Sequence, residues 1–535
     1  MRVLLVLLLL GVALARLPDP YAGFVAARSS GDVAALRALA AGNSYAAILA
    51  ARELGRAGQV PAAERLPYAE RAARFDGAAT DWLVVAQLRQ QLGEPGVVAA
   101  YARAMPLPEA RRELELLARQ GREDAYAALY DGGAYEELLA VLPPAGEAAW
   151  HARALYRLGR YQEALPWYQR WAAGSPEGSW GLARLLLKLG DYQLAAAVYE
   201  TLEGPRAADG LGEALLGLGR REAAAAAFAR GDAAGRWRAA GLYEELGRQE
   251  EALRLYRELA RGDSLYADDA ELRLWVLARR RGDVAEERWA YAGLSGGLAV
   301  LVGKPWPQLP ENRSVYITPP HAARVRALAL ADRQDWAWGE VRWQLAAEDT
   351  PQRRRAYAAL LEDLGMWGRA LKLTRNLERK SRSDWMLDYP RAYEDEVRRA
   401  AAEFGLEPEL LWAVMRVESR FDPRAVSPTG ARGLMQFTSG TWADVSRKLG
   451  AADPFDPAAS IRYGAYYLAA QLRACDGLLV CALSAYNGGP GYTRRALAAA
   501  GGDVWDFLRF QPRDEPREYV ERVYRSYATY KALYH

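Results

Sequence analysis

Histidine and cysteine are nearly absent: the 535 residues include 3 of the first and 2 of the second. The histidines are His151, His321 and His535, none of them near Cys475 or Cys481. Local spacing therefore assembles neither a zinc ligand set nor a Cys/His nucleophile pair, and no metal or cofactor is expected. Excess charge of either sign is also missing, with 70 Lys and Arg against 67 Asp and Glu. That balance leaves no polycationic footprint, so a nucleic-acid partner is not expected. Long apolar runs are confined to the start, where Val3 to Ala15 is continuous and closes on Ala13-Leu14-Ala15 before Arg16. The run falls short of the roughly 20 residues that span a bilayer. With its small-x-small ending it reads as a secretory signal peptide over residues 1–15. The mature chain is then expected to be exported to the periplasm or cell envelope, with no integral membrane segment. Two cysteines six positions apart in an exported chain form either one short-loop disulfide or two buried thiols; spacing alone leaves both open.

What is abundant is helix-forming sequence. Ala, Leu, Arg and Glu dominate residues 16–300, broken by short glycine-containing turns. One phrase recurs: Leu158-Gly159-Arg160-Tyr161, Leu189-Gly190-Asp191-Tyr192, Leu218-Gly219-Arg220-Arg221 and Leu246-Gly247-Arg248-Gln249. The glycines recur at about thirty residues, close to the period of a helix-turn-helix repeat. Each glycine is expected to end one helix in the left-handed conformation, with the next helix starting two or three residues on. Tyr168, Tyr199 and Tyr256 follow at comparable positions. The phrases resemble tetratricopeptide repeats, although the spacing is slightly short and most consensus Trp and Pro are missing. One helix pair is too small to bury its apolar face, so the pairs must stack into an elongated, curved solenoid. Residues 301–388 read as a Pro-rich connection, with Lys304-Pro305-Trp306-Pro307 and Thr318-Pro319-Pro320, followed by further helices. A last domain is placed at 389–535.

That last segment carries the chemistry. Pro408-Glu409 suits a helix start, and Leu410, Leu411, Val414, Val417 and Phe421 follow at helical spacing. Glu418 lies four residues after Val414, so it projects from the same apolar face near the helix end. Desolvation there disfavours the charged form and raises the pKa, which suits a general acid. A helical glutamate alone is ordinarily a solvated surface residue. Its context changes that reading. The runs Glu418-Ser419-Arg420-Phe421-Asp422-Pro423, Ser427-Pro428-Thr429-Gly430-Ala431-Arg432-Gly433-Leu434-Met435-Gln436 and Ala485-Tyr486-Asn487-Gly488-Gly489-Pro490-Gly491 resemble the signature of the soluble lytic transglycosylase family. Phe455-Asp456-Pro457 leading to Gly464, and Glu515-Pro516-Arg517-Glu518-Tyr519-Val520, are similar to further family segments. One departure stands after Gln436, where Phe437-Thr438-Ser439 replaces the family's usual methionine and proline.

The resemblance implies a mainly α fold: a TPR-like α-solenoid followed by a goose-lysozyme-like catalytic domain with minor β structure. It also implies cleavage of the β-1,4 bond between N-acetylmuramic acid and N-acetylglucosamine in peptidoglycan strands, giving a 1,6-anhydro product. Glu418 would be the acid, with Ser427, Gln436, Tyr486, Asn487 and Glu515 at the substrate cleft. Asp422, Asp444, Asp453 and Asp456, beside Pro, Gly, Ser or Thr, read as turn or cap residues, so no second carboxylate of the ordinary glycosidase pair is evident. Two other readings fit the residues: a goose-type lysozyme hydrolysing the same bond, and a non-catalytic periplasmic scaffold gripping glycan. For the solenoid, the expected uses are holding a glycan strand or docking proteins of cell-wall synthesis or division.

Overall fold

A computed structural model describes residues 17–306, 308–509 and 514–535; the expected signal peptide lies outside them. Among the described residues the chain is mainly α, and its only β pairing is two isolated bridges, Val426–Arg432 and Arg432–Phe437. It divides into two compact units. One holds the residues up to Leu255 together with Ala327–Trp343; the other holds Tyr256–Arg326 and Gln344–His535.

In the first unit the recurrent glycine sets each turn. Gly159, Gly190, Gly219 and Gly247 all take φ between 74° and 79°. The residue after each glycine donates its N–H five residues back, as Arg160 does to Leu155 O at 3.0 Å and Arg220 to Leu215 O at 2.9 Å. This is the Schellman closure, in which a left-handed residue lets the chain satisfy the last helical carbonyls. The next helices start promptly at Tyr161, Tyr192, Arg221 and Gln249. Stacking between pairs relies on a second set of glycines inside helices. A side chain on Gly181 would strike the Tyr168 ring, and one on Gly210 the Tyr199 ring, so each tyrosine lies flat on the backbone of the following helix. The segment Ala327–Trp343 joins this unit through buried polar contacts. The Tyr21 hydroxyl and the Tyr45 N–H both donate to Glu340, at 2.7 and 3.0 Å.

In the second unit, helix Pro408–Glu418 is the core. Leu410 through Met415 are all buried, so the helix is enclosed on every side rather than along one stripe. Trp412 donates to Ala392 O at 2.8 Å and stacks on Tyr530 of helix Asp514–Tyr534. That last helix is itself held from residues far upstream. Gly297 has no room for a side chain against Glu521 O, and nearby the buried Arg273 pairs with Asp506 at 2.6 Å. Cys475 and Cys481 are joined in a disulfide that ties the end of helix Pro457–Ala474 to helix Leu479–Gly488.

Candidate active site

Glu418 is the last residue of its helix, with Ser419 at the C-cap. Arg420 and Phe421 follow in the left-handed region, at φ 52° and 62°. Two consecutive non-glycine residues there cost on the order of 1–3 kcal/mol each and persist only where packing holds them. Phe421, 1% exposed, is that packing. The reversal turns the chain away directly after the acid, and Glu418, half-buried as a residue, has its carboxyl closely surrounded by protein atoms.

Burial pushes the Glu418 carboxyl up to about 7. The Tyr519 hydroxyl and the Arg522 charge oppose that shift, and the Glu515 carboxylate adds to it. Burial also raises Glu362, to about 8, and Glu271, to about 7, so a raised pKa alone does not mark a site. Glu418 is set apart by its surroundings. The Tyr519 side chain is buried, and its hydroxyl faces the Glu418 carboxyl, which it stabilises in the charged form; no other protein hydrogen-bond partner competes for that hydroxyl. The Tyr486 ring stacks parallel to Tyr519 at 6.4 Å, and Tyr467 and Phe437 continue the cluster at 5.4 and 6.0 Å from Tyr486.

Ser427, Gln436 and Gly433 build a loop that Met435 O ties to the Tyr486 hydroxyl. Ser427 Oγ accepts the Ala431 N–H at 3.0 Å and exchanges a hydrogen bond with Thr429 at 2.9 Å. Gln436 sits at φ 51°, and its amide donates to Ala425 O at 3.1 Å and Gly433 O at 2.8 Å. Its amide hydrogens therefore support the loop, and its carbonyl oxygen is left with acceptor capacity. The departure after Gln436 has a structural reason. Phe437 is buried against Trp442, Tyr467 and Tyr486, and Thr438 caps helix Ser439–Leu449 by accepting from Thr441 N.

Tyr486 and Asn487 occupy the last turn of helix Leu479–Gly488. The Tyr486 hydroxyl donates to Met435 O at 3.0 Å, which locks the ring beneath the loop, and Asn487 is half-buried beside it. Glu515 is exposed and acts on Glu418 through its charge. Three of the four aspartates are caps or turns, as expected: Asp422 accepts from Arg424 N, Asp453 from Phe455 N and Asp456 from Ala459 N; Asp444, expected as a fourth, instead lies within helix Ser439–Leu449 and pairs with Arg447 one turn on. Tyr519 and Arg522 were not singled out from the sequence. The available signal was spacing, since Tyr519 lies one helical turn after Glu515 and so shares its face.

The arrangement suits one acid that also serves as base: a carboxyl neutral up to near pH 7, with a tyrosine hydroxyl at its side. Residues 395–503 match the Transglycosylase SLT domain family. The soluble lytic murein transglycosylase of Escherichia coli K12 is 30% identical over 237 residues, covering 42% of this chain and 35% of that protein. Membrane-bound lytic murein transglycosylase F of Alcanivorax borkumensis is 40% identical over 110 residues, 19% of this chain and 23% of that one. The chain thus matches about a third or less of the length of these relatives. The crystal structure of the 70 kDa soluble lytic transglycosylase from Escherichia coli covers 92% of this chain, and this chain covers 81% of it, at TM-score 0.54 and 20% identity, so the helical fold around the SLT domain is shared.

The raised pKa of Glu418 has a stability signature. A carboxyl whose folded pKa lies above its unfolded value favours the fold in its neutral form. That contribution is complete below about 4.5 and is lost as pH rises through about 7. Glu418→Gln, which cannot ionise, should therefore match the wild type at pH 5 and exceed it at pH 8 by about 2–3 kcal/mol, the residue's partial exposure reducing the upper figure. Denaturant unfolding at the two pH values reads this directly. An equal gain at both would mean that position 418 is not desolvated.

Proposed function

We propose that the chain is a peptidoglycan lytic transglycosylase of the cell envelope, acting in wall turnover and remodelling. It cleaves the β-1,4 bond between N-acetylmuramic acid and N-acetylglucosamine. The observation that carries this reading is Glu418, a desolvated carboxyl at the end of an enclosed helix, with no cap or turn role and a buried tyrosine hydroxyl beside it. Neutral Glu418 gives its proton to the glycosidic oxygen as the bond to the muramic acid carbon breaks. As carboxylate it then takes the proton from the 6-hydroxyl of the same ring while that oxygen bonds to the carbon, so the anhydro ring closes and the acid is regenerated. An internal hydroxyl makes a second carboxylate for water activation unnecessary. Tyr519 supports each state in turn, since its hydroxyl can donate to the carboxylate and accept from the acid.

Ser427, Gln436, Tyr486, Asn487 and Glu515 form the substrate side of this reading: a loop edge, an aromatic floor and an outer carboxylate. Export through residues 1–15 places the enzyme in the periplasm. No helix among the described residues is long and apolar enough to cross a membrane. The helical array would hold glycan strands or dock proteins of cell-wall synthesis or division.

Mass spectrometry of sacculi digested by the purified chain tests the reaction. The expected products end in anhydromuramic acid, lighter by one water than hydrolysed ends. Reducing, hydrated ends alone would replace this reading with a lysozyme-type hydrolysis.

A further inference from the structure

The first compact unit contains a cleft of about 990 Å³ between successive helix pairs, lined from Tyr130 to Glu213. Its walls follow the repeat. Tyr168 and Tyr199 stand 31 residues apart, each seated on an in-helix glycine, and Arg153 and Arg184 share the same interval. The arginines are the unusual feature. Around them the unit pairs its cations with carboxylates, as in Arg111–Glu137, Arg160–Glu163 and Arg238–Glu213. Among the described residues, Arg153, Arg157, Arg184 and Arg206, which all line the cleft, form no ion pair within the protein.

Three of them are held by aromatic faces instead. Arg153 lies 4.6 Å from the Trp171 ring centroid, Arg184 5.4 Å from Tyr156 and Arg157 5.4 Å from Tyr135. A guanidinium stacked in this way keeps its N–H edge free and pre-oriented for a planar oxyanion. The carboxylates that also line the cleft have other engagements. Glu213 pairs with Arg238, Glu177 accepts from Ser175 Oγ at 2.7 Å while sensing the Arg153 charge, and Asp209 accepts from Asp232 N at 3.2 Å through one oxygen, its other oxygen unpartnered. The hydroxyls of Tyr156, Tyr168 and Tyr199 have no protein hydrogen-bond partner either, so the cleft offers donors of two kinds.

We propose that this cleft binds an extended acidic peptide segment of a partner protein, its carboxylates bridging the guanidinium groups of successive repeats and its backbone carbonyls accepting from the tyrosine hydroxyls. Two guanidinium groups in register, Arg153 and Arg184, with Arg157 and Arg206 beside them and none in an ion pair among the described residues, call for a ligand with several carboxylates along one chain. The sugar rings of a glycan backbone supply none. The site is made wholly from the first unit, whereas Glu418 belongs to the second, so the inference stands independently of the proposed cleavage reaction.

Fluorescence anisotropy with the full chain tests it, using a fluorescein-labelled octapeptide of alternating glutamate and glycine and its glutamine counterpart. The glutamate peptide should bind saturably and at least about tenfold tighter than the glutamine peptide, with affinity falling as salt is raised. The double substitution Arg153→Gln/Arg184→Gln should weaken it about tenfold or more while circular dichroism stays unchanged. If that variant fails to fold, Arg157→Gln/Arg206→Gln, at exposed positions, takes its place with the same expected loss. Equal binding of the two peptides, or full affinity in the folded variant, overturns the proposal. So does a cleft that takes solubilised wall fragments, lost in the same variant, but not the acidic peptide.

Discussion

Glu418→Gln should cost at least about 10³-fold in the rate of glycan cleavage while leaving the fold intact. The size of the loss follows from the double use of one group. Glutamine is isosteric and keeps the helix end filled, but it can neither give a proton to the leaving oxygen nor take one from the 6-hydroxyl. Both half-steps lose their catalyst together. Turbidity loss of purified sacculi, followed alongside far-ultraviolet circular dichroism, measures the rate and the fold on one sample. Retained lysis by the folded variant would remove Glu418 from the chemistry. In the wild type, cleavage should decline as pH rises through about 7, because the carboxyl must be neutral to act as acid and its raised pKa sets that limit.

Gly433→Ala should destabilise the second unit by about 3 kcal/mol or more. The left-handed conformation costs an L-residue about 1–2 kcal/mol, and a steric penalty is added here. At φ 75° a methyl group on Gly433 would run into Pro454 O and stand 3.1 Å from Ser460 Oγ. Relief requires the loop to move off helix Pro457–Ala474, which breaks the Gly433 N–H bond to Ala425 O at 3.0 Å and strains both Gln436 amide bonds. Cleavage should fall as well, since that loop holds the Tyr486 hydroxyl at Met435 O, and Tyr486 lies in electrostatic contact with Glu418. Gly430→Ala separates the two penalties. Its φ is 83° with open space around it, so only the backbone cost of about 1 kcal/mol applies. Denaturant unfolding should therefore rank the two substitutions at least about 2 kcal/mol apart. Equal effects would mean that close packing against Pro454 is not why glycine stands at 433.

Local rules made much of the molecule legible. The glycine of each Leu-Gly phrase ends its helix with positive φ, as expected, because one residue's conformational freedom decides a turn. Pro408 opens the acid helix and Glu418 closes it, both readable from spacing. Asp422, Asp453 and Asp456 are cap or turn residues, as their neighbours suggested, whereas Asp444 sits inside a helix. Other features depend on partners far away in the chain. Val417 was read as one of the apolar face positions but is only half-buried, while the helix is otherwise enclosed by segments that periodicity does not reveal.

The sequence by itself determined where helices begin and end, which glutamate stands at the end of an apolar helix, and which motifs surround it, because each of these is a property of a few neighbouring residues. Tertiary structure alone decided that Cys475 and Cys481 pair, that Ala327–Trp343 packs with the first unit, and that Tyr519, about a hundred positions downstream, comes to lie beside Glu418. Burial and electrostatics depend on distance in space, and the pKa that makes Glu418 useful as an acid is the sum of such distances.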